Sequence, residues 1–314
     1  MKTKIILFFL LFSKVLFAQE ANDKIFYSDS LHQIATADDY YTKIIVKDYF
    51  LDKPEYKYLE YYKSGNLKSE KTISGKDGGH PIGEEINYYE NGNKKNSFSY
   101  QNKKLNGVSK KWYESGKPKE EGIFDSEKFG TDYFYKVSHF WDENGTQTVI
   151  NGNGNCNTSD EFYTENGSYK NGYKEGDWNG ESSKRGIIFD EKYVNGKFIV
   201  GETTKNDGTK KTYTVLEKRP EPKKGIQHFY KYIGSKFRYT KESIQNQVQG
   251  RIVLQFVVDK EGKIVEPKIM KSLGYGLDEE AIRVLTSYDE WNPGEQKGVF
   301  VKCLYSLPLS LTAQ

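Results

Sequence analysis

The chain has 314 residues, with 47 Lys and Arg against 44 Asp and Glu, a formal charge of +3 and a mean hydropathy of −0.80. That length suits about two domains, and the low apolar content argues against one large packed core. Four His and two Cys are too few for a Cys/His metal cluster, and an aromatic fraction of 15% argues against disorder.

Residues 1–18 carry Lys2, Lys4 and Lys14 without an acid, an apolar run from Ile5 to Phe12, and Ala18 before Gln19. The pattern predicts a signal peptide. A spanning helix needs about 20 apolar residues, more than the stretch from Ile5 to Ala18 supplies. An uncleaved inner-membrane anchor facing the periplasm stays open as the alternative. Without those three lysines, basic and acidic residues balance at 44 each. That balance speaks against a nucleic-acid partner.

Lys24 to Tyr27 and Tyr41 to Val46 read as an opening hairpin. Five segments then share an aromatic pair, a short spacer and a glycine. They are Tyr61-Tyr62 with Gly65, Tyr88-Tyr89 with Gly92, Trp112-Tyr113 with Gly116, Phe140-Trp141 with Gly145, and Phe162-Tyr163 with Gly167. Asn-Gly and Ser-Gly at these points predict two-residue type I′ turns, and the aromatic pairs predict strands. A single hairpin cannot bury its apolar face, whereas stacked hairpins can. From about Tyr58 to Gly201 the segment resembles MORN-type repeats of the bacterial, antitoxin-like variant. That resemblance implies an extended β-hairpin sheet serving as a scaffold or binding surface. The aromatics read as packing of a thin sheet ahead of a carbohydrate or peptide platform. Asn151, Asn153 and Asn155 have the alternate spacing of a calcium loop, but Cys156 and Phe162 stand where Gly and Glu are needed. No residues qualify as catalytic, cofactor-binding or metal-binding, so an enzyme is not expected and no cofactor is implied.

Arg219 to Gly225 contains two prolines and several charges and reads as a solvated linker. Beyond it, Gln227 to Ile233 and Thr240 to Gln247 read as short helices. Gly250 to Asp259 and Lys263 to Ser272 read as strands, with Pro267 marking a bulge or an edge. Leu277 to Tyr288 follows helical spacing, and Val299 to Leu309 alternates as a last strand. The expected organisation is a signal peptide (1–18), a repeat domain (19–218), a linker (219–225) and a C-terminal domain (226–314). The fold class is mostly β: a hairpin array plus a small α+β domain with a three-stranded antiparallel sheet and helices.

Four stretches of the C-terminal part carry a resemblance: Gln249-Gly250, Phe256 to Lys263, Gly276 to Ala281, and Trp291-Asn292-Pro293-Gly294. In this order they closely resemble the TonB C-terminal domain. The resemblance implies a periplasmic module that engages outer-membrane TonB-dependent receptors by adding a receptor peptide as a strand to its sheet edge. Here the implied edge is Val299 to Leu309, with Phe300, Lys302, Leu304 and Ser306 outward. Tyr239 matches the Tyr of the family's Tyr-Pro element, so the resemblance implies it as a partner-recognition residue, and Thr240 stands in place of the Pro. The expected protein is thus a periplasmic adaptor whose repeats hold an unknown protein or glycan. A genuine anchored transducer, or a cell-envelope scaffold, stays open. Both cysteines are expected as free thiols.

Overall fold

The computed structural model describes residues 22–29, 35–131 and 134–312. The signal-peptide reading of residues 1–18 lies outside the described residues. Strands take 53% of the chain and helices 10%, so the fold is mostly β. Among the described residues, sixteen antiparallel strands follow one another in sequence order in one sheet.

The opening pair, β1 (Lys24–Ser28) and β2 (Thr42–Val46), forms the expected hairpin and pairs onward to β3 (Tyr56–Tyr62). Then come β4 (Leu67–Ile73), β5 (Pro81–Tyr88), β6 (Lys94–Gln101), β7 (Lys104–Trp112), β8 (Pro118–Phe124), β9 (Tyr135–Trp141) and β10 (Gln147–Ile150). The array closes with β11 (Asn153–Ser159), β12 (Thr164–Lys170), β13 (Tyr173–Ser182), β14 (Ile187–Val194), β15 (Lys197–Lys205) and β16 (Lys210–Tyr213).

The repeat glycines do not sit in type I′ turns. Gly65, Gly92, Gly116 and Gly145 have φ of 85 to 93° while the residue before each does not turn positive. Their amides bond the carbonyls of Tyr62, Tyr89, Tyr113 and Asp142 at 2.8 to 3.0 Å. This is a type I turn closed by a glycine bulge, in which only the third loop residue needs positive φ. Ser64 or Asn91 can therefore precede the glycine equally well. The type I′ turns lie at other hairpin ends, where both central residues have positive φ: Asn102-Lys103, Asn151-Gly152, Asn171-Gly172 and Asn195-Gly196.

The fifth repeat departs from the rest. Asn166 and Gly167 lie inside β12, opposite Asn157 and Cys156. A Cβ on Gly167 would meet the Trp178 ring at 2.1 Å, so this glycine makes room for an indole instead of turning the chain. The alternating asparagines hold loops: Asn153 donates from Nδ2 to the Asn151 carbonyl at 3.0 Å and accepts from the Asn171 amide at 3.0 Å.

The chain divides into two compact units. The second joins Glu161–Tyr163, Asn179–Lys192 and Phe198–Gln314, so it takes in parts of β13, β14 and β15 and all of β16. The segment expected as a solvated linker is folded in this unit. β17 (Glu217–Lys218) and β18 (Glu221–Pro222) are short strands, and Pro220 and Pro222 are buried.

Next come α1 (Ile226–Lys236), α2 (Lys241–Gln245), β19 (Gly250–Val258), β20 (Ile264–Lys271) and α3 (Leu277–Thr286). The last strands are β21 (Trp291–Asn292), β22 (Gly294–Gln296), β23 (Val299–Val301) and β24 (Cys303–Leu311). β18 pairs with β21, β17 with β22, and β22 with β23. The three-stranded sheet has the order β20-β19-β24. Ile252, Leu254, Phe256 and Val258 of β19 alternate inward onto Phe229 of α1, Ala281 and Leu285 of α3, and Trp291.

The β22–β23 turn carries a buried lysine. Lys297 pairs its Nζ with Glu191 Oε1 at 2.7 Å and lies 3.9 Å from the Phe189 ring centre. Its carbonyl accepts from Thr203 Oγ1 at 2.6 Å, and Tyr213 donates to the same Glu191 oxygen at 2.7 Å. All of these residues belong to the second unit.

Candidate functional site

A sheet edge offers unpaired N–H and C=O groups, so the two edges of the β20-β19-β24 sheet are the places where a strand could add. They differ. On the β20 side the register with β19 slips at Val253/Leu254 and again at Gln255/Val257. Glu266 has φ of 54° and Pro267 follows it. Bulges and proline of this kind blunt an edge. On the other side, β24 keeps register with β19 without a break from Gly250↔Leu311 to Val258↔Cys303.

Pro308 shows which groups of β24 face outward. It lies opposite Val253 and has no N–H, so that pair cannot exchange two ladder bonds. The bonded pairs are then its neighbours, Leu307↔Leu254 and Leu309↔Ile252. By alternation the amides of Leu304, Ser306 and Ser310 point to the open edge. Pro308 leaves one gap in that row and itself limits uncontrolled pairing.

A cleft of about 480 Å³ runs beside the start of this edge. Cys303, Leu304, Tyr305 and Ser306 line it with Glu217, Arg219 and Pro220. Successive strand residues face opposite sides. A cavity that touches four in a row therefore lies against the backbone edge, and the opposite edge of β24 is taken by β19. Burial and then the charge of Glu217 raise the Cys303 thiol above its usual 9.0. Both cysteines are free.

The expected outward set is split. Leu304, 58% exposed, and Ser306 lie on β24. Phe300 lies on β23, in the separate β17-β22-β23 sheet, and exposed Lys302 is the break between the two strands. Val299 to Leu309 is therefore not one strand. β19 ends at Val258, opposite Cys303, so residues before Cys303 have no partner there and pair with β22 instead. Gly294 permits the switch: a Cβ on it would meet Cys303 Sγ at 2.2 Å and Pro220 Cδ at 3.4 Å. Phe300 lines a second cleft with Arg185, Lys205 and Lys260, and Lys211 Nζ lies 4.7 Å from its ring centre.

Tyr239 lies between α1 and α2. Its ring meets Phe237 edge-on at 5.6 Å and packs on the module core. Thr240, in the place of the proline, caps α2 by accepting from the Ser243 amide at 3.0 Å and donates to the Tyr275 carbonyl at 2.7 Å. The helix start that a proline would favour is thus kept by a side-chain cap. The cleft residues that sequence reasoning missed are Glu217, Arg219 and Pro220. Their one signal was the charged run Glu217, Lys218 and Arg219 before a proline, which is equally a linker pattern.

Residues 235–310 match the family model of the Gram-negative bacterial TonB protein C-terminal. The match covers α2, α3, β19 to β23 and all but the last residue of β24; it takes in only the last two residues of α1 and leaves out β17, β18 and the array. No curated protein matches the chain. Among the described residues, no helix is long and apolar enough to cross a membrane.

Proposed function

We propose that this protein is a periplasmic binding protein with a TonB-like role in receptor interaction. Its C-terminal module takes up a segment of an outer-membrane receptor as an added strand on β24, and its hairpin array holds a second partner, a protein or a glycan. The role is binding rather than catalysis. The observation that carries it is the unbroken, open edge of β24 within the family-matched segment. Backbone bonds along such an edge supply affinity, and alternate side chains supply selectivity.

A photo-crosslinker at Leu304 in the full chain, expressed in an intact envelope, tests this. Adducts with outer-membrane receptors are expected, and they should disappear in Ser306→Pro, which deletes an outward amide. The edge already accommodates Pro308, so that variant should keep its melting temperature. Adducts that persist in Ser306→Pro, or that contain no outer-membrane protein, overturn the reading.

A further inference from the structure

We propose that the cleft beside β24 is a side-chain subsite for the added strand, and that Arg219 selects an acidic residue there. This rests on the strand-addition reading above and goes one step further, to the chemistry of the segment taken up.

The register sets where the charges fall. Glu217 lies opposite Gln296, which lies opposite Val299; Lys218 lies opposite Glu295, which lies opposite Phe300. Each further residue of this strap therefore moves towards the start of β24. Arg219 and Pro220 come closest to it, and both line the cleft with Leu304 and Ser306. Alternation directs Lys218 to Glu295, 3.4 Å away, and sends Glu217 and Arg219 to the other side. Neither Glu217 nor Arg219 has an ion-pair partner among the described residues.

The strap is held firmly. Pro220 is buried, its ring packs near Gly294, and β17 and β18 pair on either side of it. Arg219 thus stands on fixed backbone, which lowers the ordering cost of binding. Pro220 and Tyr305 can receive the methylene of a short side chain while its carboxylate takes two bonds from the guanidinium. With Lys302 exposed at the head of the edge, positive charge outweighs the single carboxylate of Glu217. Glu217, Arg219 and Pro220 all precede the family-matched segment, so the subsite is built by the part of the chain that joins the array to the module.

Eight-residue peptides of alternating Val and Thr, with Asp, Asn or Lys placed at each position in turn, test the proposal by fluorescence anisotropy against the full chain. The best Asp peptide should bind about five- to tenfold more tightly than its Lys counterpart, with Asn between them and the gap shrinking as salt rises. Arg219→Glu should reverse the order, and its unchanged melting temperature would confirm that the fold is kept. Equal binding of the three series, or an Asp preference that survives Arg219→Glu, overturns the subsite and leaves strand addition standing. If no peptide binds, both fall.

Discussion

Lys297 is the residue whose role is most at odds with its local sequence. Between Gln296 and Gly298 it reads as a solvated turn lysine, and its φ of 49° fits that turn. Yet its side chain is 10% exposed and that of its partner Glu191 is fully buried. Removing one member of a buried pair leaves the other charge uncompensated, at a cost of about 3–5 kcal/mol, whereas removing both charges together costs far less. Lys297→Met should therefore lower the urea midpoint of the full chain strongly. Adding Glu191→Gln, whose amide still accepts from Tyr213, should recover most of the loss. If the single change moves the midpoint no more than a surface substitution does, the pair carries no stability. Nothing in local sequence reveals this contact, because Glu191 lies 106 positions away on a strand whose alternation makes every second residue equally eligible.

At the scale of elements, most of the fold was legible because its signals are local. Alternation located β19, helical spacing located α3, and the aromatic pairs located the strands of the first repeats. The errors fell where a distant partner decides. Gly167 looked like a fifth turn, but Trp178 on the next strand claims the space above it. The last strand divides at Lys302 because β19 is too short to pair with all of it. The repeat itself has a function beyond strand propensity. The second aromatic of each early pair donates its hydroxyl to a carbonyl in the following repeat: Tyr62 to Tyr88 at 2.7 Å, Tyr89 to Trp112 at 2.9 Å, and Tyr113 to Trp141 at 2.8 Å. These links join loops that the strand ladder alone leaves separate. A neutral hydrogen bond of this kind contributes about 0.5–1.5 kcal/mol. Tyr89→Phe keeps the ring and should cost about that much in a urea melt, with faster hydrogen exchange at the Gly92 and Gly116 turns. Unchanged exchange at both turns would show that packing of the ring alone maintains the spacing.

Across the whole molecule, the density of half-buried tyrosines links the array to pH. Burial, followed by a hydrogen bond to the Glu70 carboxylate, pushes the Tyr88 phenol up from 10.0 to about 12. Tyr58, Tyr100 and Tyr113 also rise to about 12, each mainly through burial and then through nearby carboxylates. Tyr135 and Tyr169 are pushed well upward too, with Glu120 the first charge acting on each after burial. In every case the folded chain holds a proton that the unfolded chain releases near pH 10, so stability falls as pH rises. The contribution is complete below pH about 10 and is lost progressively as pH climbs through about 12. All six tyrosines lie in the first compact unit, whereas in the module Tyr288 is the tyrosine shifted upward, again mainly by burial. The array should therefore fail before the module in alkali. The melting temperature should hold steady up to pH about 9.5 and drop steeply beyond about 10.5. The last fraction of the tyrosinate absorbance should appear together with loss of the strand signal in circular dichroism. The fluorescence of Trp291, followed in a variant with the other tryptophans replaced by Phe, should change only at higher pH. Tyrosinate absorbance reaching its full value near pH 10 with the strand signal intact would mean that these phenols are open to water and that the array is held without them.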